Sequence, residues 1–225
     1  MPELAANAPA RMRQKYEPLL KRGRIDAAAA DAEVASVTVA TDLAALADCD
    51  LVIEARKEDP AAKAAFYRAL AKVVRPDTIV SSNSSSMGPG FLADYYRAGG
   101  GAATNLVNLH FFSPAEHPQR ALVEVVRTKE TPPEVLAALH GFVRKIGKVP
   151  VILQDGSPGF LVNAALAEYF REAEALYREG TPIERIDQVM RERVFPIGPF
   201  EVADQAGVDV AAGMFDVIAR TAPPP

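Results

Sequence analysis

One cysteine, Cys49, occurs in 225 residues, so an internal disulfide framework is excluded and a reducing compartment is the natural setting. Cys49 lies in Ala-Asp-Cys-Asp just ahead of an apolar run, where a small residue at a helix–strand turn explains it better than a nucleophile does. Long apolar runs are missing as well. No 18-residue apolar stretch occurs and the first thirty residues carry no signal-peptide core, so no membrane span is expected and a cytoplasmic location is the default. Excess positive charge is also absent, since a net charge of −4 weighs against nucleic acid or acidic membrane surfaces as partners. The basic cluster from Arg11 to Arg24 reads either as a solvated helix face or as a contact for a phosphate-bearing ligand. With one cysteine and three scattered histidines, no metal site is expected.

What remains is an ordinary globular composition, 49% apolar and 24% charged, enough to bury a core without metals or disulfides. Helices and short apolar strands alternate up to about residue 156, and helices alone follow. Residues 11–22 and 26–35 read as helices, the first stopped at Gly23, and Val37-Thr-Val-Ala is a short β-branched run. Asp50-Leu-Val-Ile-Glu-Ala is too short for a helix and suits a buried parallel strand. Asp59-Pro60 supplies an N-cap and an N1 proline for a helix with Ala62, Phe66, Ala69, Leu70 and Val73 at helical spacing. Further strands are expected from Thr78, over Leu106–Phe112, over Leu122–Val126 and from Val149. Thr131-Pro-Pro-Glu134 and Thr181-Pro-Ile-Glu184 have the form of capping boxes. Between them Val162 to Tyr177 forms a long amphipathic helix, and a last helix is expected over 199–220. The pattern predicts an α/β domain over 1–156 with a parallel-rich sheet, and an all-helical domain over 157–225.

Three places attract chemistry. Ser81-Ser-Asn-Ser-Ser-Ser86 follows a strand, where open α/β sheets place ligand groups, although a polar loop capping the next helix reads the same. His110 ends a strand in His-Phe-Phe-Ser-Pro. Glu124 interrupts the apolar run Leu-Val-Glu-Val-Val, and a buried carboxylate needs a partner. His110, on the neighbouring strand, is the nearest one, and such a pair fixes an imidazole's tautomer for general-base work. His117 in a proline-flanked loop and His140 on a capped helix carry no such signal.

These segments together resemble the 3-hydroxyacyl-CoA dehydrogenase family. Leu51-Val-Ile-Glu-Ala with Glu58 and Lys63 is similar to its NAD-binding strand and helix start, and Asn83-Ser-Ser-Ser to its Asn-Thr-Ser-Ser turn. His110-Phe-Phe-Ser-Pro with Leu122-Val-Glu-Val resembles its catalytic strand and glutamate. Pro158-Gly-Phe-Leu-Val-Asn163, Ile186-Asp-Gln-Val-Met, Pro196-Ile-Gly-Pro-Phe and Gly207-Val-Asp resemble its helical domain, in chain order. The resemblance implies a Rossmann-type sheet, NAD as cofactor and an acyl-CoA substrate. It implies His110 as general base, Glu124 as its orienting partner, and Ser85 and Asn163 as hydrogen-bond partners of the substrate's oxygens. Glu58, Lys63, Ser85 and Ser113 would line the nicotinamide-ribose side. It also implies a homodimer, or a region of a larger multifunctional enzyme.

The departures are specific. Ser113 stands where the family has asparagine, Arg56-Lys57 replaces small or apolar residues, Ala164 replaces arginine, and the loops at 98–104 and 115–120 are longer. No Gly-x-Gly-x-x-Gly occurs anywhere, although the family begins with one to hold the pyrophosphate. The expectation is therefore an incomplete Rossmann-type domain in an internal segment of a longer enzyme, with Leu51–Ala55 left as an open edge. The alternative is a non-catalytic remnant or interaction module of the same fold that binds acyl-CoA or a partner subunit.

Overall fold

The computed structural model describes residues 6–156, 159–208 and 212. Contacts divide the chain into two units, Met1–Cys49 with Val73–Arg75, and Asp50–Lys72 with Pro76–Pro225. The first holds the helices α1 (Ala8–Lys21) and α2 (Ala27–Ala35). Gly23 ends the first helix in a left-handed conformation (φ +62°), and Asp26 caps the second by accepting from the Ala29 amide at 2.7 Å. An Arg13–Asp31 ion pair at 2.6 Å ties the two helices. The β-branched run Val37–Ala40 is not a strand: it is exposed and pairs with no described strand.

The second unit carries the sheet. Its strands are β1 (Leu51–Glu54), β2 (Ile79–Ser82), β3 (Leu106–Phe111), β4 (Leu122–Arg127) and β5 (Val149–Gln154), in that spatial order. Every neighbouring pair is parallel except β3 and β4. Between the strands lie α3 (Pro60–Leu70), α4 (Pro89–Arg97) and α5 (Pro133–Lys145). After the sheet come α6 (Val162–Arg178), α7 (Ile183–Arg193) and α8 (Pro199–Ala206); the remainder of the helix expected to residue 220 lies outside the described residues.

The two faces of the sheet differ because side chains alternate along each strand. One face is apolar: Val107, Leu109, Val123 and Val125 bury against Val135, Leu139 and Val143 of α5. The other bears a polar row toward the carboxyl ends of the parallel strands. Glu54 faces Ser82 in register, Ser82 faces Asn108, and one pair further along His110 faces Glu124. All five are buried. Among the described residues β1 pairs on one side only, and Ile53 on it is 39% exposed, as expected of an edge strand.

Local starts and stops mostly follow the residues. Asp59 caps α3 by accepting from the Ala62 amide at 2.7 Å, and Gly147 and Gly180 take positive φ after α5 and α6. The buried face of α3 is rotated from expectation: Lys63, Ala64, Tyr67 and Leu70 point inward, with Ala62 and Phe66 half-buried. Neither capping box forms. Pro132 and Pro182 occupy the N-cap positions without a side-chain bond, and the Thr131 hydroxyl instead accepts from the Thr128 amide at 3.0 Å.

Candidate active site

The site is built at the carboxyl ends of β1, β2 and β3. Its deepest part is a carboxylate that sequence reasoning did not single out. Glu54 is 2% exposed and accepts five hydrogen bonds from four donors: Lys63 Nζ on both oxygens (2.9 and 2.7 Å), Tyr67 Oη (3.1 Å), Ser82 Oγ (2.9 Å) and the Arg56 amide (2.6 Å). Burial by itself would raise its carboxyl, but the bonds from Lys63, Arg56 and Ser82 outweigh that and hold it below the ordinary carboxylate value. Burial also pushes the Tyr67 phenol well up. Lys63, expected beside the cofactor, has no exposed surface and its ammonium faces Glu54.

This anchor sets the serine turn. Ser82 Oγ, while donating to Glu54, accepts from the Ser84 amide at 3.1 Å, and the Asn83 amide donates to the Glu54 carbonyl at 2.7 Å. Asn83 Oδ1 accepts from the Phe111 amide at 2.9 Å. Asn108, buried in β3, donates through Nδ2 to the carbonyls of Ser84 and Met87 at 3.1 and 3.0 Å. Ser84 and Ser86 donate to the exposed carboxylate of Glu58 at 2.8 and 3.0 Å. Ser85, between them, is half-buried and has no hydrogen-bond partner among the described residues. The turn is thus pinned on both sides of the residue whose hydroxyl is left available.

His110 and Glu124 meet directly. They are register partners across the antiparallel β3–β4 pair, with His110 Nδ1 2.6 Å from Glu124 Oε2. The other oxygen, Oε1, accepts from the Leu161 and Val162 amides, both at 2.9 Å, at the start of α6. Burial alone would raise the Glu124 carboxyl; the bonds from His110, Val162 and Leu161 hold it below its ordinary value. The His110 ring has edge contacts with Phe112 (centroids 4.7 Å) and Phe160 (5.5 Å). Asn163 is buried in the first turn of α6, beside the amides that bind Glu124. Ser113 is exposed, two residues past the end of β3, and His117 and His140 are exposed as well.

Chemically this is an imidazole with one nitrogen tied to a buried carboxylate and the other free to take a proton. No group of described residues could hold a metal ion. Residues 1–156 match the family model described as 3-hydroxyacyl-CoA dehydrogenase, NAD binding domain. The chain belongs to the 3-hydroxyacyl-CoA dehydrogenase family. Residues 159–225 match the C-terminal domain of the same family. A curated relative, the fatty acid oxidation complex subunit alpha of Shewanella frigidimarina, is 37% identical over 201 residues, which are 89% of this chain and 27% of that protein. The chain thus spans about a quarter of the curated relatives it matches. Among solved structures, FadB2 of Mycobacterium tuberculosis superposes with a TM-score of 0.88 at 30% identity, covering 99% of this chain and 79% of that one. The 3-hydroxybutyryl-CoA dehydrogenase of Escherichia coli K12 gives 0.88 at 32% identity, covering 97% and 45%. The expected family, Rossmann-type sheet and NAD-binding domain are therefore found. No described helix is long and apolar enough to cross a membrane.

Proposed function

We propose that this chain is the dehydrogenase part of an NAD-dependent enzyme that oxidises an (S)-3-hydroxyacyl-CoA to the 3-oxoacyl-CoA in fatty-acid β-oxidation. The observation that carries this reading is the buried His110–Glu124 pair at 2.6 Å. His110 takes the proton of the 3-hydroxyl on Nε2. Glu124 holds Nδ1–H, fixes the tautomer and stabilises the imidazolium that forms. Ser85 and Asn163 hydrogen-bond the substrate's oxygens. NAD, when bound, takes the hydride from C3, so the protein's own work is placement and proton transfer.

Glu58 fits the nicotinamide-ribose half of that cofactor. Its carboxylate is exposed at the carboxyl end of β1, steadied by Ser84 and Ser86, and is an acceptor suited to ribose hydroxyls. Ser113 lies on the same edge, past β3. Lys63 serves the cofactor side from beneath, by holding Glu54 and the serine turn. We divide the work at residue 156, with the cofactor in 1–156 and substrate and subunit contacts in 157–225. The length of the curated relatives supports a place within a larger multifunctional subunit, and the cytoplasm is the compartment we assign to it. A homodimer is the other arrangement, and sedimentation at tens of micromolar separates the two.

The test is His110→Ala. Turnover should fall by about 10²–10⁴-fold, as for a lost general base, while NADH binding followed by nicotinamide fluorescence stays as in the parent. Parent-like turnover would remove His110 from the chemistry. A second reading, a non-catalytic member that binds acyl-CoA or a partner, is favoured by the lack of a Gly-x-Gly-x-x-Gly segment in the sequence. A chain that binds acyl-CoA but shows no NADH binding even at millimolar concentration would support it.

A further inference from the structure

Two consecutive residues ahead of α6, Gly159 and Phe160, have left-handed backbones, with φ of +74° and +59°. Glycine takes that conformation freely, whereas a side-chain-bearing residue does so only where its surroundings hold it there. Phe160 is also the one non-glycine described residue with a positive φ. Glycine at this place would make the same corner without strain, so the backbone alone does not account for the phenylalanine. Its ring does have a partner: it is 7% exposed and meets the His110 imidazole with centroids 5.5 Å apart and planes at 62°. Phe112 meets the same imidazole at 4.7 Å and 60°.

The corner has a second effect. The amides that follow it, Leu161 N and Val162 N, are the two that donate to Glu124 Oε1, from a segment 37 and 38 residues away in the chain. One turn of backbone therefore sets the carboxylate of the pair and covers its imidazole. From this juxtaposition we infer that Phe160 is a positioning residue: its ring, seated by the left-handed Gly159–Phe160 corner, confines the His110 imidazole with Nδ1 on Glu124 and Nε2 free. The inference rests on the assignment of His110 as the base, and it deepens that assignment by bringing the helical segment into the proton-transfer site.

The ring and the corner can be separated experimentally. Phe160→Gly keeps the left-handed turn without backbone strain and removes only the ring, and Phe160→Tyr keeps the ring. The readout is the pair of His110 imidazole nitrogen signals in ¹⁵N NMR of the purified chain, which needs no turnover. In the parent and in Phe160→Tyr the signals should report a single tautomer protonated on Nδ1. In Phe160→Gly they should move toward the average of two tautomers, with kcat lowered about ten- to a hundredfold and KM for the acyl-CoA within about twofold, as for a misplaced catalytic group. Unchanged nitrogen signals in Phe160→Gly would overturn the inference, and so would mixed tautomers in the parent, which covers the case where the glycine variant does not fold. Full turnover by His110→Ala together with tautomer loss in Phe160→Gly would leave the clamp standing and remove instead the assignment of His110 as the base.

Discussion

Glutamine in place of Glu124 changes one charge and almost no volume, and it strikes both tasks of that side chain. The carboxylate has no exposed surface; one oxygen faces His110 Nδ1 and the other accepts two amides. In Glu124→Gln the amide oxygen keeps Leu161 and Val162, so the NH2 group faces His110. His110 Nδ1 must then become the acceptor, which moves the imidazole proton to Nε2 and removes the base. Turnover should fall by about 10²–10⁴-fold. Stability should fall more modestly. A hydrogen bond to a charged group contributes about 1.5–3 kcal/mol and a neutral one about 0.5–1.5, so two amides lose roughly 2–3 kcal/mol together. Relief from burying a charge returns part of this, leaving a net loss of about 1–2 kcal/mol. In a chain of this size that lowers Tm by roughly 2–8 °C.

The pH dependence has a definite sign. A carboxyl held low in the folded state adds stability above its unfolded value, near 4.5, and loses it as pH falls through the lower folded value. The gap in Tm between parent and Glu124→Gln should therefore be constant at neutral pH and close below about pH 4.5. Turnover is read with an (S)-3-hydroxyacyl-CoA at high NAD, and Tm by circular dichroism from pH 3 to 8. A glutamine variant with parent-like turnover, or a gap that widens on acidification, would refute the reasoning.

Two further changes probe the rest of the site. Lys63→Met leaves the Glu54 carboxylate buried beside an apolar chain, which should cost about 3–5 kcal/mol, or roughly 6–20 °C in Tm. Adding Glu54→Gln should recover much of it, and a single variant melting within 2 °C of the parent would count against the anchor. Fusing a complete strand–glycine-loop–helix–strand unit before residue 1 should tighten NADH binding by roughly two to six decades, since two or three charge-assisted bonds to the pyrophosphate are gained. Micromolar NADH binding by the 225-residue chain without that unit would show that the pyrophosphate is held elsewhere.

Much of this molecule is written locally. Asp59-Pro60, Gly23, Gly147 and Gly180 mark helix ends because capping and positive φ are properties of the residue itself. Apolar runs too short for helices became strands, and the alternation of strand and helix implied the parallel-rich sheet. Glu124 and His110 were legible as a pair because a carboxylate inside an apolar strand must find a donor on its neighbour. The same logic applied to Glu54, in Leu-Val-Ile-Glu, would have found the second buried carboxylate. Lys63 shares a helix stripe with Tyr67 and Leu70, spacing that points it inward with them.

Other features exist only once distant segments meet. Thr131 and Thr181 carried the letters of capping boxes, but prolines took the N-cap positions and, at the first, Thr128 engaged the threonine. Val37–Ala40 had strand-forming residues and found no partner strand among those described, because β propensity is realised only in a pairing. Nothing in the sequence near Glu124 announces the Leu161 and Val162 amides, since backbone donors are the same in every residue and only the fold aims them. Sequence alone determined which side chains needed partners. Tertiary structure decided which partners they received, because register, the Gly159–Phe160 corner and the start of α6 place donors at ångström precision that no local pattern encodes.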